Sequence, residues 1–486
     1  MIRTRSSWSA ALATGVAASL FVTGATGCVA PAMPAAPATP PVPAAFAGAE
    51  AARDTITVAD MAWRQFFADT TLLGLIDTAV RNNPELLATL QEVEMARADV
   101  RGVRGRLFPS VSIGGGIGID KAARYTSEGA GNASTDITDG KRVPDPLGDL
   151  NVGFTAAWEA DIRGKIRSQR GAALQRYLGS IEGSRYVLTG LVAEVANSYY
   201  ELTALDAKLA IVRQAIALQR NELEVVRAQR EAAGVTELAV RQFEALLLNA
   251  QTLEVELQQE IRESENRLNV LLGRYPQPIA RPTALPNGLG MRTLAQGLPS
   301  QLLRNRPDIR AAELEVKASR FDLKAARAEF LPEVNLTGGF GVRAFTAKYL
   351  FQTPESMAYG LAGDLMAPLF NREGLKAEFA RASAAQQKAL INYRRSILEG
   401  VTEVSTLVSA LDTYERGLQL KTQQAAALDS AVSVAGDLFN AARANYLEVL
   451  TAQREAIDVK LELVEAQLRQ RVTLTNLYRA LGGGWK

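Results

Sequence analysis

The chain carries one structural plan twice, and that duplication limits the folds open to it more than any other feature. Arg81-Asn82-Asn83-Pro84-Glu85-Leu86 lies without a gap on Arg304-Asn305-Arg306-Pro307-Asp308-Ile309, 223 residues later, and the register holds to Gly118 and Gly341. Along it Glu92 matches Glu315, Arg97 matches Arg320, Asp99 matches Asp322, Pro109 matches Pro332, and Gly115, Gly116 and Gly118 match Gly338, Gly339 and Gly341. A second register of 209 residues sets Leu268-Asn269-Val270-Leu271-Leu272-Gly273 on Leu477-Tyr478-Arg479-Ala480-Leu481-Gly482, so the two halves also end alike. The period is far too long for a short-repeat solenoid. It points to a doubled structural unit, with residues 60–285 as the first copy and 286–486 as the second, each reading helix, two strands, long helix, helix.

Proline punctuates the plan. None occurs from Leu147 to Tyr275 or from Leu369 to the end, and these stretches are rich in Ala, Leu, Glu, Gln and Arg, which favour helix. Leu205, Leu209, Val212, Ile216, Leu223 and Val226 step by threes and fours with Gln219 in the one skipped slot, as do Leu411, Tyr414, Leu418, Ala425, Leu428, Val432, Ala435 and Phe439 with Lys421 in theirs. Such heptads predict coiled-coil packing. The long helices expected over 163–233 and 373–442 are each matched in length by two short neighbours together: 73–106 with 236–272, and 300–329 with 445–481. At 1.5 Å per residue, helices of that size make a rod of roughly 100 Å, more than a bilayer's thickness. Apolar residues reach 47% while aromatics stay at 6%, as helical packing requires.

Four stretches have the other periodicity. From Leu150 to Ile162 the even positions are Leu, Val, Phe, Ala, Trp, Ala and Ile, against Asn, Gly, Thr, Ala, Glu and Asp at the odd ones. Val111, Ile113, Ile117 and Ile119 alternate with Ser and Gly; Val334, Leu336, Phe340 and Val342 with Asn, Thr and Gly. Met357, Tyr359, Leu361, Leu365 and Leu369 form the fourth. Each is long enough for a tilted strand to cross the hydrocarbon layer. Four strands cannot close a membrane barrel alone, because open edges would leave backbone groups unpaired in lipid. At least two chains must combine; a trimer would supply twelve strands and an aqueous lumen. The alternative is a pair of soluble hairpins beneath the helices.

Charge excludes little, with 54 Lys and Arg against 52 Asp and Glu, and offers no electrostatic ground for a nucleic-acid partner. The absence of histidine and the single cysteine rule out Ser-His-Asp and Cys-His catalysis, His/Cys metal sites and an intrachain disulfide. Residues 1–27 read as a secretory signal, with Arg3 and Arg5 before an apolar run and Ala25, Thr26 and Gly27 before Cys28. This resembles a bacterial lipoprotein signal, with Cys28 as the lipidated first residue and its lipid as the only covalent group expected. Val29 after it points to the outer membrane. The alternative is an ordinary signal peptide with an incidental cysteine. Residues 28–59 begin with that cysteine and an Ala/Pro tether that cannot build a core.

WRQFFAD at 63–69, RNNPELLA, LFPSVSIGGG, WEADIRGKIRS, LNVLLGRYP, GLPSQLLRNRPDIRAAE, PLFNREG, NYLEVLTAQRE and the terminal ALGGGW occur in this order. Together they resemble the outer-membrane efflux lipoproteins of the OprM and NodT type, in the TolC-like family, across nearly all of residues 60–485. The resemblance implies an α+β membrane protein acting as a homotrimer, its twelve-stranded barrel in the outer membrane continuing into an α-helical coiled-coil barrel across the periplasm. It implies a passive exit duct of a tripartite pump, not an enzyme. The partners implied are a periplasmic membrane-fusion adaptor, an inner-membrane proton-driven RND transporter and outer-membrane lipid.

The hairpin ends are then the expected adaptor contacts: Gly234, Val235 and Thr236 in the first, Ala442, Asn445 and Tyr446 in the second. The family places a glycine in each; Gly234 fits, and Ala442 stands where the second would fall. Asp437 and Arg443 are candidates for charged contacts that hold the periplasmic mouth shut, with a solvated surface pair as the alternative. Asp206 and Asp412, in equivalent Ala-Leu-Asp triplets, are tunnel candidates or ordinary surface carboxylates. Phe154, Trp158 and Tyr359 suit an aromatic girdle or packing between strands. The glycines near 114–118 lack the Lys-Ser/Thr and helix start of a phosphate loop. Two other classes stay open: a channel for type I protein secretion, and a lipid-anchored structural coiled coil.

Overall fold

The computed structural model describes residues 31–33, 43, 60–282 and 299–485, except Leu369, Asn371 and Ala442. Cys28 and most of the tether lie outside the described residues. In chain order the elements are α1 (Trp63–Phe66), α2 (Thr70–Asn82), α3 (Pro84–Gly105), β1 (Ser110–Asp120), α4 (Ser127–Ser134), β2 (Asp136–Thr138), β3 (Lys141–Arg142), β4 (Leu147–Ala160), α5 (Lys165–Glu231) and α6 (Glu237–Leu271). The second half follows with α7 (Pro299–Asn305), α8 (Pro307–Ala328), β5 (Glu333–Ala344), α9 (Ala347–Leu350), β6 (Met357–Met366), α10 (Glu373–Asn440) and α11 (Tyr446–Ala480). The order of the major elements repeats from one half to the other. Two compact units arise, and each takes pieces of both halves. One holds Met95–Tyr177 and Leu314–Leu390 with amino-terminal residues; the other holds Leu178–Glu313 and Ile391–Lys486 with Ala38–Glu94.

The first unit contains a four-stranded antiparallel sheet in the order β1-β4-β5-β6. Residues directly opposite one another in an antiparallel pair share a face, so the register decides whether four separate alternations add up. They do. Ile113 faces Phe154, Phe154 faces Phe340 and Phe340 faces Tyr359; likewise Ile117 faces Leu150, and Trp158 faces Leu336. One face of the sheet is therefore aliphatic and aromatic from edge to edge. On the other, Ser112 faces Thr155, Gly116 faces Asn151, Ala157 faces Thr337 and Asn335 faces Asp364. β1 and β6 are the edges.

The second unit is helical. Asp69 caps α2, accepting from the Thr71 amide at 2.8 Å and from the Tyr199 hydroxyl at 2.6 Å. The single helices expected over 73–106 and 300–329 are each broken in two, between α2 and α3 and between α7 and α8. Proline is the cause: Pro84 and Pro307 have no amide to donate backwards, and each opens a new helix. The residue before each proline is then put to the same use. Asn83 donates from Nδ2 to the Leu271 carbonyl at 3.0 Å, and Arg306 donates from Nη1 to the Ala480 carbonyl at 2.9 Å. Both carbonyls belong to the last turns of the returning helices, α6 and α11, where intrahelical donors have run out.

Those helices end in matching left-handed glycines, Gly273 at φ 65° and Gly482 at φ 95°. The following amides bond back five residues, Arg274 to Asn269 and Gly483 to Tyr478, both at 3.0 Å. Around this base the main core gathers Trp63, Phe67, Leu72, Ile76, Tyr199, Leu202, Leu268 and Leu272. Tyr478 ties the last helix to the segment around α1: its ring stacks on Phe66 at 4.0 Å and its hydroxyl donates to the Met61 carbonyl at 2.7 Å.

Candidate pore wall and hairpin tips

Two places carry the candidate functional residues, one in each unit. In the first, the polar face of the sheet is made of Ser, Gly, Ala, Thr and Asn with a few charges. Asp149 and Arg343 form a bidentate pair at 2.7 and 2.8 Å. At the other end of the strands, Lys165 binds Glu159 at 2.5 Å and lies 3.7 Å from Glu333. The opposite face leaves Ile113, Ile117, Ile119, Tyr359, Leu361 and Leu365 more than two-thirds exposed. A run of exposed apolar side chains on one face marks a surface that meets a membrane or another protein. Phe154 and Tyr359 stand on it, while Trp158 shares the face but donates from its indole to the Leu107 carbonyl at 3.1 Å, which ties it to the segment leading into β1.

In the second unit the tips join α5 to α6 and α10 to α11. The Gly234 amide bonds to the Gln229 carbonyl and the Arg443 amide to the Leu438 carbonyl, both at 2.8 Å. The two turns are thus closed in the same way, and Gly234 corresponds to Arg443. The left-handed residue of the first tip is Ala233 at φ 58°, one position before the glycine expected to hold that role. Ala442, its counterpart, lies outside the described residues. A β-carbon costs energy in this conformation. Ala233→Gly is expected to stabilise the tip by about 1 kcal/mol, read as slower hydrogen exchange in the amides around residue 234.

Val235 and Tyr446 are half-buried and pack with Phe439 and Leu450 on a small core of Leu223, Val226, Val240 and Phe243. The two hairpins are clamped side by side near their ends. Thr236 precedes α6 without a side-chain cap, whereas Asn445 caps α11 by accepting from the Leu447 amide at 3.3 Å. Arg230 and Arg241 grip Glu237 at 2.9 and 3.0 Å, and the hydrogen bond from Arg230 holds that carboxyl below the usual glutamate range. Asp437 and Arg443 are both exposed and form no ion pair with each other.

Further from the tips, α5 and α11 meet through Lys208 and Glu465 at 2.9 Å and through Glu222 and Gln453. Burial pushes the Glu222 carboxyl up, against the hydrogen bond from Gln453 that lowers it. Its folded value lies above the ordinary 4.5, so the stability it contributes is full below that value and lost as pH rises through the folded one. Wild type should therefore gain stability over Glu222→Gln as pH falls from neutral toward 4.5, measured as the difference between their urea midpoints. A constant difference across that range would contradict it.

The duplicated aspartates have diverged. Asp412 is exposed and pairs with Arg416 in the same helix, while Asp206 is half-buried and held by Arg281, which also binds Glu265 at 2.5 Å and the Ile279 carbonyl at 2.9 Å. Arg281 and Arg306 carry no signal of their own in the local sequence. Arg306 bonds Asp308 and Glu403 at 2.7 Å each and is almost wholly buried. The clue to it lies in the repeat, where Arg306 stands in place of Asn83.

A sheet with one lipid-compatible face and one polar face, carried by a chain with two long helical hairpins, defines a membrane channel protein with a helical extension. The profile of the outer membrane efflux protein family matches residues 75–274 and 298–483. The chain belongs to that family, and is the outer-membrane component of an efflux pump. The solvent efflux pump outer membrane protein SrpC of Pseudomonas putida is 32% identical over 436 residues, which cover 87% of each chain. The outer membrane protein OprJ of Pseudomonas aeruginosa is 29% identical over 446 residues, 90% of each. The open state of the Neisseria gonorrhoeae MtrE outer membrane channel superposes with a TM-score of 0.82 at 25% identity, covering 94% of this chain and 98% of that one.

Proposed function

We propose that three copies of this chain close a twelve-stranded barrel, edge β1 of one against edge β6 of the next, and that the assembly is the passive exit duct of a tripartite efflux pump. The register carries this reading: four alternations share one apolar face and one polar face, and a sheet so divided with two open edges is satisfied in lipid only by closure. Twelve strands leave a wet passage. A duct needs no catalytic group, so the chain is not an enzyme. An inner-membrane RND transporter supplies the energy, and a periplasmic adaptor grips the tips at Gly234, Val235, Thr236, Ala442, Asn445 and Tyr446. Purified protein should migrate as a heat-modifiable trimer and conduct ions in planar bilayers; a non-conducting monomer would overturn the reading.

Two further assignments belong to this proposal. Cys28 carries the lipid that anchors the mature chain, which Cys28→Ser should abolish in a palmitate-labelling assay. Asp437 and Arg443, exposed and not paired with each other, make charged contacts between copies that narrow the periplasmic mouth. Neutralising both with Asp437→Asn and Arg443→Gln should raise single-channel conductance, and unchanged conductance would remove them from the gate.

A further inference from the structure

At the end of the sheet where β4 begins, β5 ends and β6 begins, a cavity of about 540 Å³ opens between the strand ends and the connection from β5 to β6. Leu147, Asp149, Arg343, Phe345 and Ala358 line it with the parity of the polar face, and Gly148, Ala344 and Met357 with that of the other, so the cavity lies across the strand ends with the pair of Asp149 and Arg343 on its polar side. The cavity sits at the end of the strands away from the long helices, where a passage through the barrel would open, and its place there depends on the duct proposal. Its volume falls within the range of small-molecule sites.

The walls have a definite chemistry. Leu147, Phe345 and Tyr349 supply apolar and aromatic surface. Among the charged lining residues, Asp149 and Arg343 neutralise each other through their bidentate pair. Glu355 also lines the cavity, is exposed and has no cationic partner among the described residues. The lining is thus left with one uncompensated negative charge beside two aromatic rings. Ser356, also in the lining, is 5% exposed and its hydroxyl has no hydrogen-bond partner among the described residues. A buried polar group left in that state is costly unless something answers it. Outside the lining, the Lys348 ammonium lies 5.9 Å from the Tyr349 ring and opposes a second cation there.

We infer that this cavity is a binding site for amphiphilic organic monocations, an exit subsite that holds a flat aromatic cation by its apolar body and its charge before release. The rings attract the cation over their faces and remove apolar area from water. Glu355 selects its sign.

The test uses the purified trimer in nanodiscs and two dyes with one xanthene core and opposite charge, rhodamine 6G and fluorescein. Rhodamine 6G should bind saturably by fluorescence anisotropy, and fluorescein should not. Glu355→Gln should weaken rhodamine 6G about fivefold, the scale of an exposed ion pair. Removing both rings with Phe345→Ala and Tyr349→Ala should weaken it about tenfold or more, while Lys348→Gln should tighten it. Equal binding of the two dyes, or indifference to both Glu355→Gln and the double aromatic variant, overturns the site. Bilayer conductance measured on the same preparations separates the failures: a conducting trimer without selective dye binding rejects this site alone, and a protein that does not conduct rejects the duct itself.

Discussion

Gly273→Val is expected to prevent the protein from reaching its folded state. A β-carbon at that position would stand 2.1 Å from the Asn82 carbonyl oxygen and 2.7 Å from its carbon, and both are backbone atoms that cannot step aside. The residue also sits at φ 65°, where a β-branched side chain is strained whatever the space around it. The helix end, the break before Pro84 and the Asn83 hydrogen bond to Leu271 meet at this point, so a shift made to relieve the clash unseats all three. A cost of about 4 kcal/mol or more is expected, the range reserved for backbone clashes and lost core contacts. Gly482→Val repeats the experiment in the second half, with the Asn305 carbonyl oxygen 2.5 Å from the added carbon. Both variants should be recovered as degraded or aggregated chains, with no heat-modifiable trimer on gels. Gly436→Ala, with open space around the added carbon, is the control expected to assemble normally.

Leu361→Arg should abolish membrane assembly, whereas Thr337→Arg should leave assembly intact and change conduction. The two residues lie on adjacent strands, β6 and β5, but on opposite faces. Leu361 pairs with Gly338 on the apolar side and is 86% exposed; Thr337 pairs with Ala362 on the polar side. A cation on the lipid face near the bilayer midplane costs about 2–4 kcal/mol, and a trimer incurs it three times. On the lumen side the same charge is solvated, and three copies of it should lower cation permeability, read as a shift in reversal potential under a salt gradient. Equal tolerance of both substitutions would mean that neither face meets lipid.

Much of this molecule is written locally. The strand boundaries near residues 110, 150, 334 and 357 follow from an alternation that can be counted along the chain, and the long helices from stretches without proline. The helix breaks are harder to see, although their cause is explicit in Asn83-Pro84 and Arg306-Pro307. A proline at the first position of a new helix and one inside a continuous helix look alike until the partner of the preceding residue is known. Here those partners are the Leu271 and Ala480 carbonyls, 188 and 174 residues away. Ala233 shows the same limit at small scale, since a neighbouring glycine invites the left-handed assignment that the turn's hydrogen bonds place one residue earlier.

Periodicity, proline placement and the internal repeat determined the elements, their order and their two-sided character, because each depends on a residue and its near neighbours. Pairing was decided only in three dimensions. Nothing local says that the β4 alternation must meet those of β1 and β5 in phase, and a slip of one residue would have mixed the two faces and removed any surface fit for lipid. The charged contacts followed the same division: Asp206 and Asp412 read identically along the chain, and only the return of Arg281 to the first of them made one a structural anchor and left the other at the surface.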